Sequence, residues 1–437
     1  MDVFDKFTLE KIGRVKNTTA AVIADLNSKI SEAAVSYEKV EMDDRKAIIE
    51  KLSSYIETFS DDLAALVTSE TGKPIGYSRI EVASSVDALR RMAAGLALQA
   101  EEKDFSHTGS FPRNSATVGS LIFRAGYMTP ALDFVTALGI GLSTGMGVVF
   151  VPHGLTPLSA GMISEKVAEA LPAGLINLVN ADNTTFNKLL GSVHFETFGF
   201  SGKPDDFNNA VKRIGVMNYF SNLHENYPVI IWEEENVDSI VEEITASAFY
   251  SGSCYYDRAW KVIVKKEIME YVKNRIVEIS GSINVGDPRD PLNSMGPVTD
   301  SNELLAASVF STRVKSDLGE VAMGGKIDGN VMSPTLVIPE KKIGLTNTDI
   351  GAPLTLLMEA DSIEDAIHMA NNLLPGSKCV MYTNDIEVMK STVPRLNYAS
   401  VHINSLPEAD SVISMSPMIS HGPIAMNELK PRNRLIL

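Results

Sequence analysis

The sequence predicts an α/β protein in which a parallel sheet is covered by helices, with a long helical region in front of it. Apolar residues recur at three- and four-residue spacing in four amino-terminal segments, 18–40, 43–59, 60–70 and 77–102. Such spacing is typical of helices that pack one face against a core. From Pro130 onward, short apolar strands alternate with helices, and this alternation predicts a parallel sheet of the nucleotide-binding type.

Two successive α/β cycles are expected after the helical region. The first contains strands at 148–151, 175–180 and 197–200, with helices at 157–170 and 185–190. The second runs from Val229 to Asn404 and contains strands at 229–232, 262–264, 380–383 and 401–404. A further strand is expected at 116–124, after a polar loop. A chain of 437 residues is long enough for two or three domains, each with its own core.

Composition narrows the classes of partner and compartment. The formal net charge is −16 and no basic stripe is present, so nucleic acid is not an expected partner. The two cysteines, Cys254 and Cys379, are far apart, which argues against a disulfide framework and predicts a reducing, cytoplasmic setting. Cys379 lies in a predicted core strand and is interpreted as structural. No His, Cys, Asp and Glu residues have the spacing of metal ligands.

Residues 130–151 are apolar enough to suggest a membrane span. Asp133 and four glycines interrupt the stretch, which divides into a helix, a glycine-containing turn and a strand. We therefore expect a buried helix followed by a buried strand, and no membrane association. The amino terminus has no basic region followed by an apolar run, so no signal peptide is expected.

Seven short segments follow one another in an order that matches one protein family. They are Glu70-Thr-Gly-Lys-Pro74, Val151-Pro-His-Gly-Leu-Thr-Pro-Leu158, Leu171-Pro-Ala-Gly-Leu-Ile-Asn-Leu-Val179, Phe200-Ser-Gly-Lys203, residues 246–264, Val285-Gly-Asp-Pro-Arg-Asp-Pro-Leu-Asn-Ser-Met-Gly-Pro297 and Asp349-Ile-Gly-Ala-Pro-Leu354. Each segment alone is a weak signal, but their order strongly supports a shared fold. With these segments the chain resembles the aldehyde dehydrogenase superfamily.

The resemblance implies a subunit of three parts. A Rossmann-type nucleotide-binding domain would comprise residues 1–103 and 125–223, and an α/β catalytic domain residues 224–404. Residues 104–124 and 405–437 would form a bridging β-arm, in which the strand at 116–124 pairs with the carboxy-terminal strand and reaches a neighbouring subunit. Exposed strand edges favour pairing between subunits, so a homodimer or homotetramer is expected.

The resemblance also implies a chemistry. In this family a thiolate attacks the carbonyl of a small aldehyde, and the thiohemiacetal passes hydride to NAD or NADP. A side-chain amide and a backbone N–H hold the oxyanion, and a carboxylate activates water to cleave the thioester. A lysine and a second carboxylate bind the ribose hydroxyls of the cofactor.

Most of the residues that the family uses for this chemistry are changed in this chain. Met128 stands where the oxyanion asparagine is expected, Val151 where the ribose-binding lysine is expected, and Asn222 where the general-base glutamate is expected. Met128 and Val151 cannot donate hydrogen bonds from their side chains. The second ribose carboxylate becomes Asp349, which has a shorter side chain. The cofactor-binding positions that keep the same or a similar residue are Pro152, Ser201 and Gly202.

The nucleophile segment resembles the family's Phe-x-x-x-Gly-Gln-x-Cys-x-x-x-x-Arg-x-x-Val, but its cysteine is displaced. In an alignment without gaps, Lys261 takes the place of the arginine and Tyr256 falls at the thiol position. Cys254 lies two residues earlier. A β-bulge or a shortened loop would bring Cys254 into the substrate tunnel. Otherwise Cys254 is a small buried apolar residue, as is common for cysteine.

Two hypotheses follow from these changes. In the first, the protein is weak or inactive in the usual reaction and serves as a catalytically silent subunit that binds a small ligand or assembles with another protein. In the second, it is an active aldehyde dehydrogenase that uses the displaced Cys254. His224 and Glu225 lie near the missing base and could replace it, although loop roles are more common. Lys73 has no Gly-x-x-x-x-Gly-Lys-Ser/Thr around it and is interpreted as a helix-end residue.

Overall fold

The structure, a computed structural model, describes residues 1–102, 119–214, 218–224, 226–233, 235–250, 258–340, 350–372, 376–407 and 434–436. Four of the residues singled out from the sequence lie outside these ranges: Cys254, Tyr256, Glu225 and Asp349. Within the described ranges the chain forms a helical amino-terminal region and two larger sheets. The α/β class is as the sequence predicts.

The amino-terminal helices match the periodic segments to within a few residues. They are α1 (Ala20–Tyr37), α2 (Met42–Glu57), α3 (Ser60–Thr71) and α4 (Ile75–Glu102). Helix α3 ends at Gly72, whose φ of 82° lies in the left-handed region that favours glycine. A hairpin precedes the helices and was not expected from the sequence, because its two short strands show too little period-two alternation. It consists of β1 (Asp2–Phe4) and β2 (Lys11–Arg14).

The first large sheet has five parallel strands in the described part of the chain. They are β3 (Ser120–Arg124), β4 (Gly147–Val151), β5 (Ile176–Leu178), β6 (Thr197–Gly202) and β7 (Asn218–Leu223), in the order β5-β4-β3-β6-β7. Its helices are α5 (Pro130–Thr144), α6 (Leu158–Val167), α7 (Asn183–Ser192) and α8 (Pro204–Ile214). The apolar stretch 130–151 is therefore α5 followed by β4, and both elements are buried. Among the described residues no helix is long and apolar enough to cross a membrane.

The second large sheet has eight strands in the described ranges, in the order β10-β13-β14-β9-β8-β15-β16-β17. They are β8 (Tyr227–Ile231), β9 (Ala259–Lys265), β10 (Gly319–Met323), β13 (Thr335–Pro339), β14 (Leu354–Ala360), β15 (Gly376–Tyr382), β16 (Tyr398–Ile403) and β17 (Arg434–Ile436), and β11 (Ile327–Asp328) pairs with β12 (Val331–Met332) separately. The helices are α9 (Val237–Phe249), α10 (Met269–Ser280), α11 (Ser301–Arg313), α12 (Ile363–Asn371) and α13 (Ile386–Thr392). Cys379 is fully buried in β15, and burial raises the pKa of its thiol.

The predicted pairing with the carboxy-terminal strand is wrong for Ser120–Arg124, the strand that the structure describes within residues 116–124. Strand β3 lies in the middle of the first sheet, where Ile122 pairs with Val149 of β4 and with Phe198 of β6. Strand β17 pairs with β16 of the second sheet instead. The physical reason is in the sequence of β3, Ser-Leu-Ile-Phe-Arg. Its three central residues are apolar without alternation and fully buried, which is typical of a central parallel strand and not of an exposed arm.

Candidate ligand-binding cavity

A cavity of about 580 Å³ lies at the carboxyl ends of strands β3, β4 and β6. Parallel α/β sheets bind ligands at this edge, because the strand ends and the helices that follow them leave a crevice there. Residues 124–128 line the cavity after β3, His153 lines it after β4, and residues 200–203 line it at the end of β6. The outer wall comes from α7 and α8 and carries Asn183, Phe186, Asn187, Asp206, Asn209 and Arg213.

Met128, Ser201 and His224 form the inner wall of the cavity. Their exposed fractions are only 3%, 1% and 2%. Ser201 Oγ and His224 Nε2 lie 2.9 Å apart, and His224 Nδ1 lies 3.0 Å from Met128 Sδ. The backbone N–H of His224 donates to the carbonyl of Gly202 at 2.9 Å, which fixes His224 beside β6. Packed side chains therefore close the cavity at this end.

Asp133 extends the inner wall with a buried carboxyl group. It is 1% exposed in helix α5, and it accepts the Gly126 N–H at 3.2 Å and the Thr129 hydroxyl at 3.4 Å. Burial raises the pKa of Asp133 to about 8. The sequence showed Asp133 only as an interruption of an apolar run. An acid within a buried helix was the signal that it has polar partners elsewhere in the fold.

The hydrogen bonds from Ser201 through His224 to Met128 can run in only one direction when the imidazole is neutral. A thioether sulfur accepts hydrogen bonds but cannot donate them, so His224 Nδ1 carries the proton that faces Met128. His224 Nε2 is then an acceptor and takes the hydroxyl proton of Ser201.

The Glu70-Thr-Gly-Lys-Pro74 segment supports the inner wall through a hydrogen bond from Lys73 to the backbone of Met128. Lys73 is fully buried, lies 2.5 Å from the Glu81 carboxylate, and donates to the carbonyl of Met128 at 2.6 Å. Glu81 accepts the Ala131 N–H at 2.9 Å, at the amino end of α5. Lys73 is therefore occupied in a structural ion pair and is not available to a phosphate group.

Glu70 has a similar supporting role at helix α6. Its carboxylate accepts the N–H groups of Leu158 and Ser159 at 2.8 and 2.9 Å, as well as the Ser159 hydroxyl. These N–H groups lie in the first turn of α6 and have no partner within the helix. Burial raises the pKa of Glu70 to about 7, although the bonds from Ser159 and Leu158 oppose the shift.

Arg124 and His153 are the polar groups of the outer cavity that lie nearest the strand ends. The Arg124 guanidinium donates to the Pro152 carbonyl at 3.2 Å and lies 4.9 Å from the centre of the Phe186 ring. Burial lowers the pKa of Arg124 to about 10, with the charge of Asp206 acting in the opposite direction. The group remains a cation at neutral pH.

His153 is held as a neutral imidazole. Burial lowers the pKa of His153, and the charges of Arg124 and Lys203 lower it further. Its Nδ1 accepts the Leu155 N–H at 3.2 Å, and its ring lies 5.3 Å from the ring of Tyr127. Because Nδ1 is the acceptor, the proton of the neutral ring is on Nε2.

The residues predicted from the sequence are only partly brought together. Met128, Ser201 and Gly202 line the cavity, and Gly202 has a φ of 139°. Val151 is fully buried within β4 and is not among the residues that line the cavity, and Pro152 contributes its carbonyl to Arg124. Asn222 lies in β7, with its side-chain nitrogen 3.4 Å from His224 Nε2. The positions of Cys254, Tyr256 and Asp349 are outside the described residues.

Arg258 is a buried residue whose importance the sequence did not reveal. It is 2% exposed and donates to the backbone carbonyls of four residues, Ala248, Ile350, Ala352 and Leu354. Arg258 immediately precedes β9, and these bonds hold the end of α9 against the segment 350–354. Lys261, which the ungapped alignment equated with the family arginine, is instead fully buried within β9 and donates to the Met369 carbonyl at 3.1 Å.

Arg258 offers a second register for the nucleophile segment. In the Cys-x-x-x-x-Arg spacing the cysteine precedes the arginine by five residues. Five residues before Arg258 is Ser253, and five residues before Lys261 is Tyr256. In neither register does Cys254 fall at the nucleophile position.

Comparison with known proteins agrees with the geometry of this fold. The family model described as "Aldehyde dehydrogenase family" matches residues 1–416. The chain belongs to the aldehyde dehydrogenase family. It is 24% identical over 428 residues to a lactaldehyde dehydrogenase of Methanococcus maripaludis, covering 93% of this chain and 89% of that protein. It is also 24% identical over 411 residues to a betaine aldehyde dehydrogenase of Cereibacter sphaeroides, covering 91% and 84%.

Solved structures of this family share the fold. Lactaldehyde dehydrogenase from Escherichia coli superposes with a TM-score of 0.82 at 22% identity, over 92% of this chain and 87% of that one. Glyceraldehyde-3-phosphate dehydrogenase from Methanocaldococcus jannaschii, complexed with NADP, gives 0.82 at 18% identity, over 93% and 90%. These similarities establish the architecture, while the chemistry depends on the residues of this chain.

Proposed function

We propose that this member of the aldehyde dehydrogenase family does not sustain NAD(P)-dependent aldehyde oxidation and instead serves as a ligand-binding protein. The observation that carries the proposal is the contact between Met128 Sδ and His224 Nδ1 at the inner wall. The resemblance assigns the oxyanion amide to the position of Met128. It assigns a glycine to the position of His224, in the family's Glu-Leu-Gly-Gly-Lys-x-Pro.

The oxyanion site has lost its side-chain donor. A thioether cannot donate a hydrogen bond to a developing oxyanion. Loss of one such donor lowers turnover by about 10²–10³-fold. The Met128 side chain is also buried against His224, and its sulfur is the acceptor that faces the Nδ1–H of that ring. The first step of the usual reaction is therefore impaired.

The general base has been lost as well. Asn222 has a side-chain amide, which does not accept a proton at neutral pH, and loss of a general base lowers turnover by roughly 10²–10⁴-fold. His224 does not replace it in this arrangement, because its two ring nitrogens face Ser201 and Met128. Such losses are not additive, but both reduce turnover.

The residues of the cavity suit a phosphate group of NAD or NADP, but they do not suit the ribose and nicotinamide groups. Arg124 and the other basic residues of the lining suit a phosphate group, and Phe186 offers apolar surface beside it. Val151 is a buried apolar residue and cannot bind a ribose hydroxyl. Because the resemblance assigns the oxyanion amide to the position of Met128, we infer that the closed wall of Met128, Ser201 and His224 obstructs the approach that hydride transfer to a nicotinamide ring requires.

An active dehydrogenase using Cys254 is the second candidate. It is favoured by the names of the relatives, lactaldehyde dehydrogenase and betaine aldehyde dehydrogenase, and by a cavity that retains its place at the sheet edge. In this second candidate function, a small aldehyde is the substrate and NAD or NADP is the cofactor. We also propose that the protein is cytoplasmic and that it forms a homodimer or homotetramer.

Calorimetric titration of the full-length protein with NAD⁺ and NADP⁺ tests the proposal. We expect weak or undetectable binding of either dinucleotide by the wild-type protein. The variant His224→Gly removes the side chain that closes the inner wall and should bind at least one of them more tightly. His368→Gly, at an exposed position of helix α12, is the matched control and should leave the binding unchanged. Micromolar binding by the wild-type protein that His224→Gly does not improve contradicts a closed inner wall.

A further inference from the structure

We propose that the cavity binds a phosphate-bearing ligand of mononucleotide size, with Arg124 as the principal anion-binding residue and His153 as a second donor. The inference rests on the proposed function, because the closed inner wall leaves only the outer cavity for a ligand. The phosphate would bind to Arg124 on strand β3. It would not bind at the β4 position of Val151, where the family's ribose-binding lysine is expected.

The charge of the cavity favours an anion. The chain as a whole has a formal net charge of −16, which would repel one. The cavity nevertheless carries more basic than acidic residues. Lys203 is neutralised by its ion pair with Glu303, on the other sheet's helix α11, and the remaining basic residues still outnumber the acidic ones. The basic residues of the lining are Arg124, Lys203, Lys212 and Arg213, and the acidic ones are Asp206 and Asp300.

Arg124 has hydrogen-bonding capacity left for a ligand. A guanidinium has five N–H groups, and in the described part of the chain it donates to one acceptor, the Pro152 carbonyl. Within the same ranges no carboxylate lies within ion-pair distance of it, although the charge of Asp206 is near enough to raise its pKa. The Phe186 ring lies beside the guanidinium, with its centre 4.9 Å from Arg124 Cζ. A half-buried, oriented guanidinium of this kind suits the bidentate recognition of phosphate.

His153 adds a neutral donor beside Arg124. Its Nδ1 is used by the Leu155 N–H, so Nε2–H is the remaining polar group of a side chain that lines the cavity. The Tyr127 ring at 5.3 Å restricts the orientation of the imidazole. A neutral N–H donor contributes to phosphate binding without adding charge repulsion toward Arg124.

The size and lining of the cavity favour a phosphate attached to a larger group. A volume of about 580 Å³ is far larger than a bare ion requires. Phe186 and Phe200 line the same space and supply apolar surface for a ring carried by the phosphate. A sugar phosphate and a nucleoside monophosphate share this chemistry, and they differ in whether a base is present.

Calorimetry on the full-length protein separates these sources. The probes are inorganic phosphate, ribose 5-phosphate, AMP and adenosine, titrated at fixed ionic strength. We expect saturable binding of AMP and weaker binding of ribose 5-phosphate and phosphate. Adenosine should not bind detectably. Binding of ribose 5-phosphate as tight as that of AMP would assign the site to sugar phosphates and contradict a mononucleotide ligand.

Charge variants test the role of Arg124. Arg124→Met should weaken AMP binding by about 10- to 100-fold, which is the effect of losing a hydrogen bond to a charged group. Arg124→Lys keeps the positive charge but lacks the forked N–H groups of a guanidinium. Its affinity for AMP should lie between those of Arg124→Met and the wild type. Asp206→Asn removes a competing negative charge and should tighten binding by a few-fold. Lys390→Met, on an exposed ion pair away from the cavity, is the control and should have no effect. Thermal unfolding of each variant reports whether it folds.

The outcomes distinguish this inference from the proposed function. Undetectable AMP binding, or AMP affinity that is the same in Arg124→Met and the wild type, overturns the inference and leaves the loss of dehydrogenase chemistry in place. Aldehyde-dependent NAD(P)H formation overturns the proposed function, whatever the result with AMP. AMP binding that Asp206→Asn weakens would also contradict an anion site at Arg124.

Discussion

Lys73 links the amino-terminal helices to the inner wall of the cavity, and its replacement should be costly. Its ammonium group and the Glu81 carboxylate have side-chain exposed fractions of 0% and 1% and lie 2.5 Å apart. Lys73→Met removes the cation and leaves Glu81 buried without its ion-pair partner. Breaking a buried pair in this way costs about 3–5 kcal/mol. The Met128 carbonyl also loses its donor at 2.6 Å.

Urea unfolding of the wild type and the variant measures this loss. We expect the free energy of unfolding to fall by about 3–5 kcal/mol at pH 7, with an unchanged dependence on urea concentration. Lys390→Met removes an exposed lysine paired with Glu387 and should cost less than about 1 kcal/mol. Because Glu81 also accepts the Ala131 N–H at the start of α5, the second variant Glu81→Gln should destabilise the protein as well. A loss below 1 kcal/mol for Lys73→Met would refute the view that this pair is a buried support.

Three further predictions follow from single residues. Burial raises the pKa of Asp133, so the folded protein keeps a proton that the unfolded chain releases. The stability that this proton contributes is fully present below the ordinary aspartate pKa of 3.8 and is lost as pH rises through about 8. Asp133→Asn should therefore flatten the fall of stability between pH 5 and 8, by up to about 1.4 kcal/mol per pH unit, and an unaltered pH profile would exclude a buried neutral Asp133. Gly72→Ala places a Cβ about 2.8 Å from Pro297 at a φ of 82° and should cost about 2 kcal/mol in thermal unfolding, whereas Gly76→Ala meets no atom within 4 Å and should be neutral or mildly stabilising. Arg258→Met removes one donor from each of four backbone carbonyls and should cost on the order of 3 kcal/mol in urea unfolding; a cost below 1 kcal/mol would show that other donors satisfy these carbonyls.

The helices and most strands could be predicted from the sequence because their signals are local. Apolar spacing gave α1 to α4 to within a few residues, and the apolar stretch 130–151 was correctly divided into a helix and a strand. Strand β3 was misplaced for a different reason. Its unalternating apolar sequence indicates a central strand, but the family resemblance assigned it to an arm, and the local pattern was the better guide.

The cavity depended on contacts between residues that are distant in sequence. Asp133, Ser201 and His224 come from α5, the end of β6 and the residue after β7, and no spacing rule connects them. Arg124 was seen only as the last residue of a strand, because its half-buried place beside Phe186 depends on how α7 packs. The structural role of Arg258 was not predicted, because the sequence showed it only as a polar neighbour of Cys254 and the alignment without gaps equated Lys261 with the family arginine.

The most direct test of lost dehydrogenase chemistry is the rate of NAD(P)H formation, followed by absorbance with lactaldehyde or betaine aldehyde as substrate. We expect no detectable turnover by the wild-type protein with NAD⁺ or NADP⁺, and none by Cys254→Ala. Sustained wild-type turnover on the order of 1 s⁻¹ or faster, abolished in Cys254→Ala, would show that the displaced cysteine works and would contradict the account.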